Sequence, residues 1–114
     1  PDAYKDESDI GAVCAYLEEH SGEPVSLDQL GEVAGLSKYY LLRSFTKQKG
    51  ISPYRYLETI RIAKARKLLE RNVPMIEVAL QTGFADQSRF SRFFKRLIGV
   101  TPRQYAEIFG GRQA

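Results

Sequence analysis

The apolar positions recur at helical spacing along nearly the whole chain, and period-two alternation of useful length is missing. Ile10, Val13, Cys14 and Leu17 fall at i, i+3, i+4, i+7, which predicts a first helix ending near His20. Leu27, Leu30, Val33 and Ala34 give a short second helix with Ser26 as its N-cap candidate. Gly35-Leu36 makes a turn and Ser37 caps a third helix, whose Leu41 and Phe45 face inward and which Gly50 closes. Pro53 opens a long helix through Tyr56, Leu57, Ile60, Ala63, Ala65, Leu68 and Leu69 to about Arg71. Pro74 opens a short one with Met75, Val78 and Ala79. A sixth helix runs from the N-cap candidate Asp86 to the C-terminal Gly99, burying Phe90, Phe93, Phe94 and Leu97. A last one begins at Thr101-Pro102 and carries Tyr105, Ile108 and Phe109. The expected class is all-α. Residues 1–9 read as a linker or tail, and 110–114 as a second tail.

Two of these stretches are copies. Phe45, Gly50, Pro53 and Tyr56 fall on Phe94, Gly99, Pro102 and Tyr105 at an offset of 49, with Leu41 on Phe90 and Arg43 on Arg92. Upstream, Leu27, Leu30 and Gly35 fall on Met75, Val78 and Gly83 at an offset of 48. Each copy is a short helix, a tight turn with glycine, and a capped second helix, the helix-turn-helix pattern. The first covers about 26–50 and the second about 74–99. Between them a helix of about 19 residues would span roughly 28 Å, near the roughly 34 Å between successive major-groove faces on one side of B-DNA.

Charge is distributed unevenly. Nine acidic residues against Lys5 give −8 up to Leu36, whereas sixteen basic and five acidic residues from Ser37 onward give +11. A basic segment of this kind suits a polyanionic partner. One cysteine (Cys14) and one histidine (His20) leave no intrachain disulfide, no metal cluster of the usual kind and no Cys/His centre for catalysis. Cys14 on an apolar face is expected to pack as a small hydrophobe. No cofactor is implied, and no apolar run approaches a membrane span. With no signal peptide at the polar start, the cytoplasm is the expected compartment.

The motifs Gly35-Leu-Ser-x-x-x-Leu41-x-Arg43-x-Phe45, Arg61-Ile-x-x-Ala65-x-x-Leu68-Leu69 and Gly83-Phe84-x-Asp86-x-Ser88-x-Phe90-Ser91-Arg92-x-Phe94-Lys95-x-x-x-Gly99-x-Thr101-Pro102-x-x-Tyr105 resemble the DNA-binding domain of the AraC/XylS family of bacterial transcription regulators. The resemblance covers about residues 10–109. It departs at Gly31, where a small alanine is common, and at Ala106, where the family usually has arginine.

The resemblance implies seven helices in two helix-turn-helix units joined by the long helix (about 53–71), with the last helix at about 102–109. Each unit would place a recognition helix in the major groove. Carried over by position, the first reader is Lys38, Tyr39, Leu42 and Arg43, and the second is Gln87, Ser88, Ser91 and Arg92. The chemistry suits those roles. Arg43 and Arg92 can pair bidentately with guanine, Gln87 with adenine, and Leu42 can pack on a thymine methyl. Lys47, Arg61, Arg89, Lys95 and Arg96 are placed as phosphate contacts or solubility charges. Ser52 and Thr101 either present backbone N–H groups to phosphate or serve as simple caps. The implied partners are double-stranded DNA, RNA polymerase, and an N-terminal sensing or dimerisation domain that this chain, lacking an initiator methionine, is expected to have lost. The competing reading is a protein-interaction module whose acidic first helices contact RNA polymerase or a partner domain. An enzyme is not expected.

Overall fold

The repeat in the sequence produces two separate cores. The computed structural model describes the backbone of residues 3–111 and the side chains from Ile10 on, so residues 112–114 of the expected tail lie outside the described residues. Seven helices follow one another: α1 (Ala3–Glu19), α2 (Leu27–Ala34), α3 (Lys38–Lys49), α4 (Pro53–Glu70), α5 (Met75–Gln81), α6 (Gln87–Ile98) and α7 (Pro102–Phe109). Among the described residues there is no strand, as the missing alternation predicts. The chain divides into two units, Pro1–Ile60 and Arg61–Ala114, the division falling inside α4.

In the first unit Ile10, Val13 and Leu17 from α1 meet Leu30 and Ala34 from α2, Leu41 and Phe45 from α3, and Leu57 and Ile60 from α4. Cys14 and Tyr56 pack at its edge. The α1 backbone is already helical at Ala3, inside the stretch expected as a linker. Its Ala, Lys, Asp and Glu residues favour or tolerate the helix and contain no breaker. In the second unit Ile62, Ala65 and Leu69 from α4 meet Val78, Ala79, Phe84, Phe90, Phe94 and Tyr105.

The periodicity of α6 overreaches at its last turn. Phe90 and Phe94 are fully buried and Phe93 partly so, but Leu97 is 38% exposed. Ile98 and Val100, flanking the left-handed Gly99, pack on the core instead. Gly110 and Gly111, expected to fray, are tied back. The Gly111 N–H donates to the Glu70 carbonyl (2.8 Å), and the Asn72 side-chain amide donates to the Gly111 carbonyl (2.6 Å).

The two copies share local geometry, and this sets the direction of α3 and α6. Leu36 N–H donates to Gly31 O (2.9 Å) and Gly35 N–H to Glu32 O (3.3 Å). Phe84 N–H donates to Ala79 O (3.1 Å) and Gly83 N–H to Leu80 O (3.3 Å). Both turns therefore close on the same paired pattern, with Gly35 and Gly83 at φ 71° and 91°, the left-handed region that favours glycine. At the far ends Gly50 N–H donates to Thr46 O and Gly99 N–H to Lys95 O, each at 2.8 Å. The aromatic pair behind each second helix recurs as well. Phe45 and Tyr56 meet edge-on at 5.4 Å between centroids, as do Phe94 and Tyr105.

Candidate nucleic-acid interface

Helix α3 begins at Ser37, whose hydroxyl accepts the Tyr40 N–H (3.3 Å). Helix α6 begins at Asp86, whose carboxylate accepts the Arg89 N–H (2.8 Å). Each cap ends the turn and fixes where the first exposed side chain of the helix stands. With Leu41 and Phe45 buried on one face of α3, and Phe90 and Phe94 on one face of α6, the opposite faces are left to solvent.

On α3 those faces carry Lys38, Tyr39, Leu42 and Arg43, all exposed. Tyr39 is 61% exposed and Leu42 36%. Arg43 Nη1 donates to the Tyr39 hydroxyl oxygen at 3.2 Å, and its guanidinium carbon lies 5.8 Å from the ring centroid. Lys38 Nζ stands 3.5 Å from Asp28 of α2, an exposed pair worth little to stability. Tyr39, Leu42, Arg43, Thr46 and Lys47 line one shallow cleft along the helix.

On α6 the matching stripe is Gln87, Ser88, Ser91 and Arg92, exposed except for the half-buried Ser91. At the offset of 49 these stand where Lys38, Tyr39, Leu42 and Arg43 stand on α3. So the sequence-predicted readers do assemble, four on each helix. Within each unit they share one solvent-facing surface.

The residues expected at phosphates are placed less uniformly. Lys47, Arg89, Lys95 and Arg96 are exposed on or beside the two stripes, Arg96 with its guanidinium 5.8 Å from the Phe93 centroid. Arg61, by contrast, is half-buried on α4 and is engaged within the protein. Ser52 and Thr101 act as caps. Ser52 Oγ accepts the Arg55 N–H (3.1 Å), and Thr101 Oγ1 accepts the Gln104 N–H (3.0 Å) while the Gln104 side chain returns to the Thr101 N–H. Arg66 donates from Nε to the Tyr105 hydroxyl (3.1 Å), and that bond holds its guanidinium more strongly protonated than usual. The Tyr105 hydroxyl in turn donates to the Glu70 carboxylate.

Sequence reasoning missed the link between Tyr39 and Arg43, taking both as independent readers. The signal was their i, i+4 spacing, which places the ring and the guanidinium on one helix face. It also missed the uncovered apolar side chains Ile76 and Leu80 of α5, 58% and 63% exposed and one turn apart.

The helix-turn-helix domain family model matches residues 30–108, more than half of the chain. The HTH-type transcriptional regulator YbfI of Bacillus subtilis is 60% identical over 80 residues, which is 70% of this chain but 29% of YbfI. The chain thus spans under a third of that relative's length. The C-terminal domain of AraT, a response regulator from Geobacillus stearothermophilus, superposes with a TM-score of 0.86 at 30% identity, covering 92% of this chain and 88% of that one. The DNA-binding domain of the transcriptional factor AdpA, solved with a target DNA, gives 0.83 at 29% identity, covering 88% and 91%. Two turns of the same hydrogen-bonded pattern, each presenting a solvent-facing stripe, and a family match that spans both lead to one conclusion: the chain belongs to the AraC-type helix-turn-helix family of transcription regulators.

Proposed function

We propose that this chain is the part of a bacterial transcription regulator that binds double-stranded DNA in a sequence-specific way, α3 and α6 each lying in the major groove. The observation that carries the reading is the duplication. A stripe containing an arginine stands on each of two helices, and the same turn hydrogen bonds precede each of them. The relationship to the AdpA domain, which was solved on its target DNA, supports it. In this reading Lys38, Tyr39, Leu42, Arg43, Gln87, Ser88, Ser91 and Arg92 face base edges. Lys47, Arg89, Lys95 and Arg96 face phosphates. Arg61, Ser52 and Thr101 are weaker phosphate candidates because each side chain is already engaged within the protein.

The regulator works without catalysis, in the cytoplasm, together with a sensing or dimerisation domain supplied by sequence outside this chain. RNA polymerase is its partner in transcription, and the exposed Ile76 and Leu80 of α5 support a protein-facing surface on the second unit. Among the described residues no helix is long and apolar enough to cross a membrane.

Selection of bound sequences from a random duplex pool tests the reading. Two short motifs within one site are expected, with affinity that falls steeply as salt rises. Arg92→Ala should relax base preference at one position and cost about 1–3 kcal/mol at the selected site. A protein that binds no duplex in a salt-dependent manner would overturn the proposal.

A further inference from the structure

The two reading helices share a backbone pattern but differ in chemistry. At matched positions α3 carries Tyr39 and Leu42 where α6 carries Ser88 and Ser91. Tyr39 reaches Arg43 through both its hydroxyl oxygen and its ring, whereas Ser88, four residues before Arg92, has no ring to offer. Tyr39 and Leu42 also make the α3 surface partly apolar, and they line its shallow cleft together with Arg43, Thr46 and Lys47.

We propose that Tyr39 is a positioning residue that holds Arg43 for guanine, and that Tyr39 and Leu42 together seat the C5-methyl of an adjacent thymine. The first unit then reads a thymine–guanine step. This deepens, and rests on, the reading of α3 as a major-groove helix. The chemistry has three parts. An exposed arginine loses side-chain freedom on binding, and restraining it beforehand reduces that cost. The Tyr39 oxygen takes one of the five guanidinium N–H groups, leaving a two-donor edge for O6 and N7 of guanine. The cleft offers no hydrogen-bonding group at Leu42. Among the four bases only thymine brings a methyl to the major groove, and Lys47, which also lines the cleft, suits a phosphate that flanks it. The second unit, with two serines in place of the ring and the leucine, has no such seat and leaves its arginine unrestrained.

The test uses this chain and a site selected from a random duplex pool. The half-site of α3 is the position where Arg43→Ala abolishes discrimination between guanine and 7-deazaguanine, which lacks the N7 acceptor. Tyr39→Phe keeps the ring and removes the hydroxyl from an exposed position, so folding is preserved. It should lower that discrimination about threefold to tenfold, the scale of one hydrogen bond, and have no further effect when combined with Arg43→Ala. Replacing the neighbouring thymine by uracil should weaken binding about fourfold, the scale of one buried methyl. In Leu42→Ala that difference should vanish.

Three results would overturn the proposal while leaving DNA binding intact. They are a Tyr39→Phe effect that persists fully in the Arg43→Ala background, a uracil duplex bound as tightly as thymine, and an Arg43→Ala loss equal on all sequences. Absence of salt-dependent binding to every duplex would overturn the DNA-binding reading itself, and this inference with it.

Discussion

Alanine at Gly31 and at Gly11 makes a matched pair of perturbations that isolates one close contact in the first turn. Both glycines lie inside helices, α2 and α1, so each substitution carries the same gain in helix propensity, about 1 kcal/mol. They differ in what the new methyl meets. A Cβ at Gly11 has nothing within 4 Å, whereas a Cβ at Gly31 would stand 2.7 Å from the Leu36 carbonyl oxygen. That carbonyl belongs to the residue whose N–H closes the turn on Gly31 O at 2.9 Å. It cannot swing away without loosening the bond that turns the chain from α2 into α3.

The second unit shows the scale of the adjustment. Ala79 stands at the position matching Gly31, and the equivalent bond, Phe84 N–H to Ala79 O, is longer at 3.1 Å. Overpacking a fitted site costs about 1–3 kcal/mol, enough to cancel or exceed the propensity gain. Gly11→Ala should therefore stabilise by about 0.5–1 kcal/mol, and Gly31→Ala should be neutral or destabilising. Urea unfolding of the two variants beside the parent, with the slopes compared to verify two-state behaviour, reads the difference. If Gly31→Ala stabilised as much as Gly11→Ala, the close approach of the Leu36 carbonyl would be of no energetic consequence and the reasoning would be wrong.

Two further predictions concern the frame of each unit. Asp86→Ala removes the side-chain acceptor for the Arg89 N–H at the start of α6 and should cost about 1 kcal/mol in urea unfolding; Asp86→Ser, which keeps an acceptor, should recover most of it. At Tyr56 the hydrogen bond to Cys14 pushes the phenol above its ordinary value of 10.0, with burial and the electrostatic influence of Cys14 and Glu18 adding to the shift. The folded state thus holds the proton more tightly than the unfolded one. The stabilisation is complete below pH 10 and is lost as pH rises through the folded value. The stability gap between the parent and Tyr56→Phe should hold steady below that pH and close above it; a gap that widens would contradict the assignment.

Much of the framework was legible because it is written in local chemistry. Ser26, Ser37, Asp86 and Thr101 have the polar oxygen an N-cap needs, and all four accept the expected backbone N–H. The repeat was legible for a similar reason, since Phe45 with Tyr56 and Phe94 with Tyr105 keep the same spacing in sequence and the same edge-on contact in space. What escaped depends on what another segment brings near. Leu97 follows the apolar rhythm of α6, but Ile98 and Val100 occupy the core around Gly99. Gly31 reads as a weak helix residue, and only the position of the Leu36 carbonyl shows why added bulk is resisted. Gly110 and Gly111 read as a tail, yet the Gly110 N–H donates to the Ala106 carbonyl, and Glu70 and Asn72 bind Gly111.

The division between what recurs and what differs bears on function. The positions that fix the path of the chain are held in common between the copies: the left-handed glycines, the paired turn bonds and the aromatic pair behind each second helix. Those that face solvent differ in size, polarity and hydrogen-bonding capacity, with Lys38, Tyr39 and Leu42 set against Gln87, Ser88 and Ser91. Core exchanges between the copies, such as Leu30 for Val78 and Leu41 for Phe90, stay apolar as a densely packed interior requires, whereas divergence on the outer stripe changes polarity and hydrogen bonding without disturbing the scaffold. The α3 stripe sets an exposed leucine beside an arginine that a tyrosine engages. A surface that must tell one base pair from another has use for both, because the methyl of thymine and the paired acceptors of guanine are distinct features of the major groove. On the proposed DNA-binding reading, the contrast between the two stripes predicts two different half-sites rather than a repeated one.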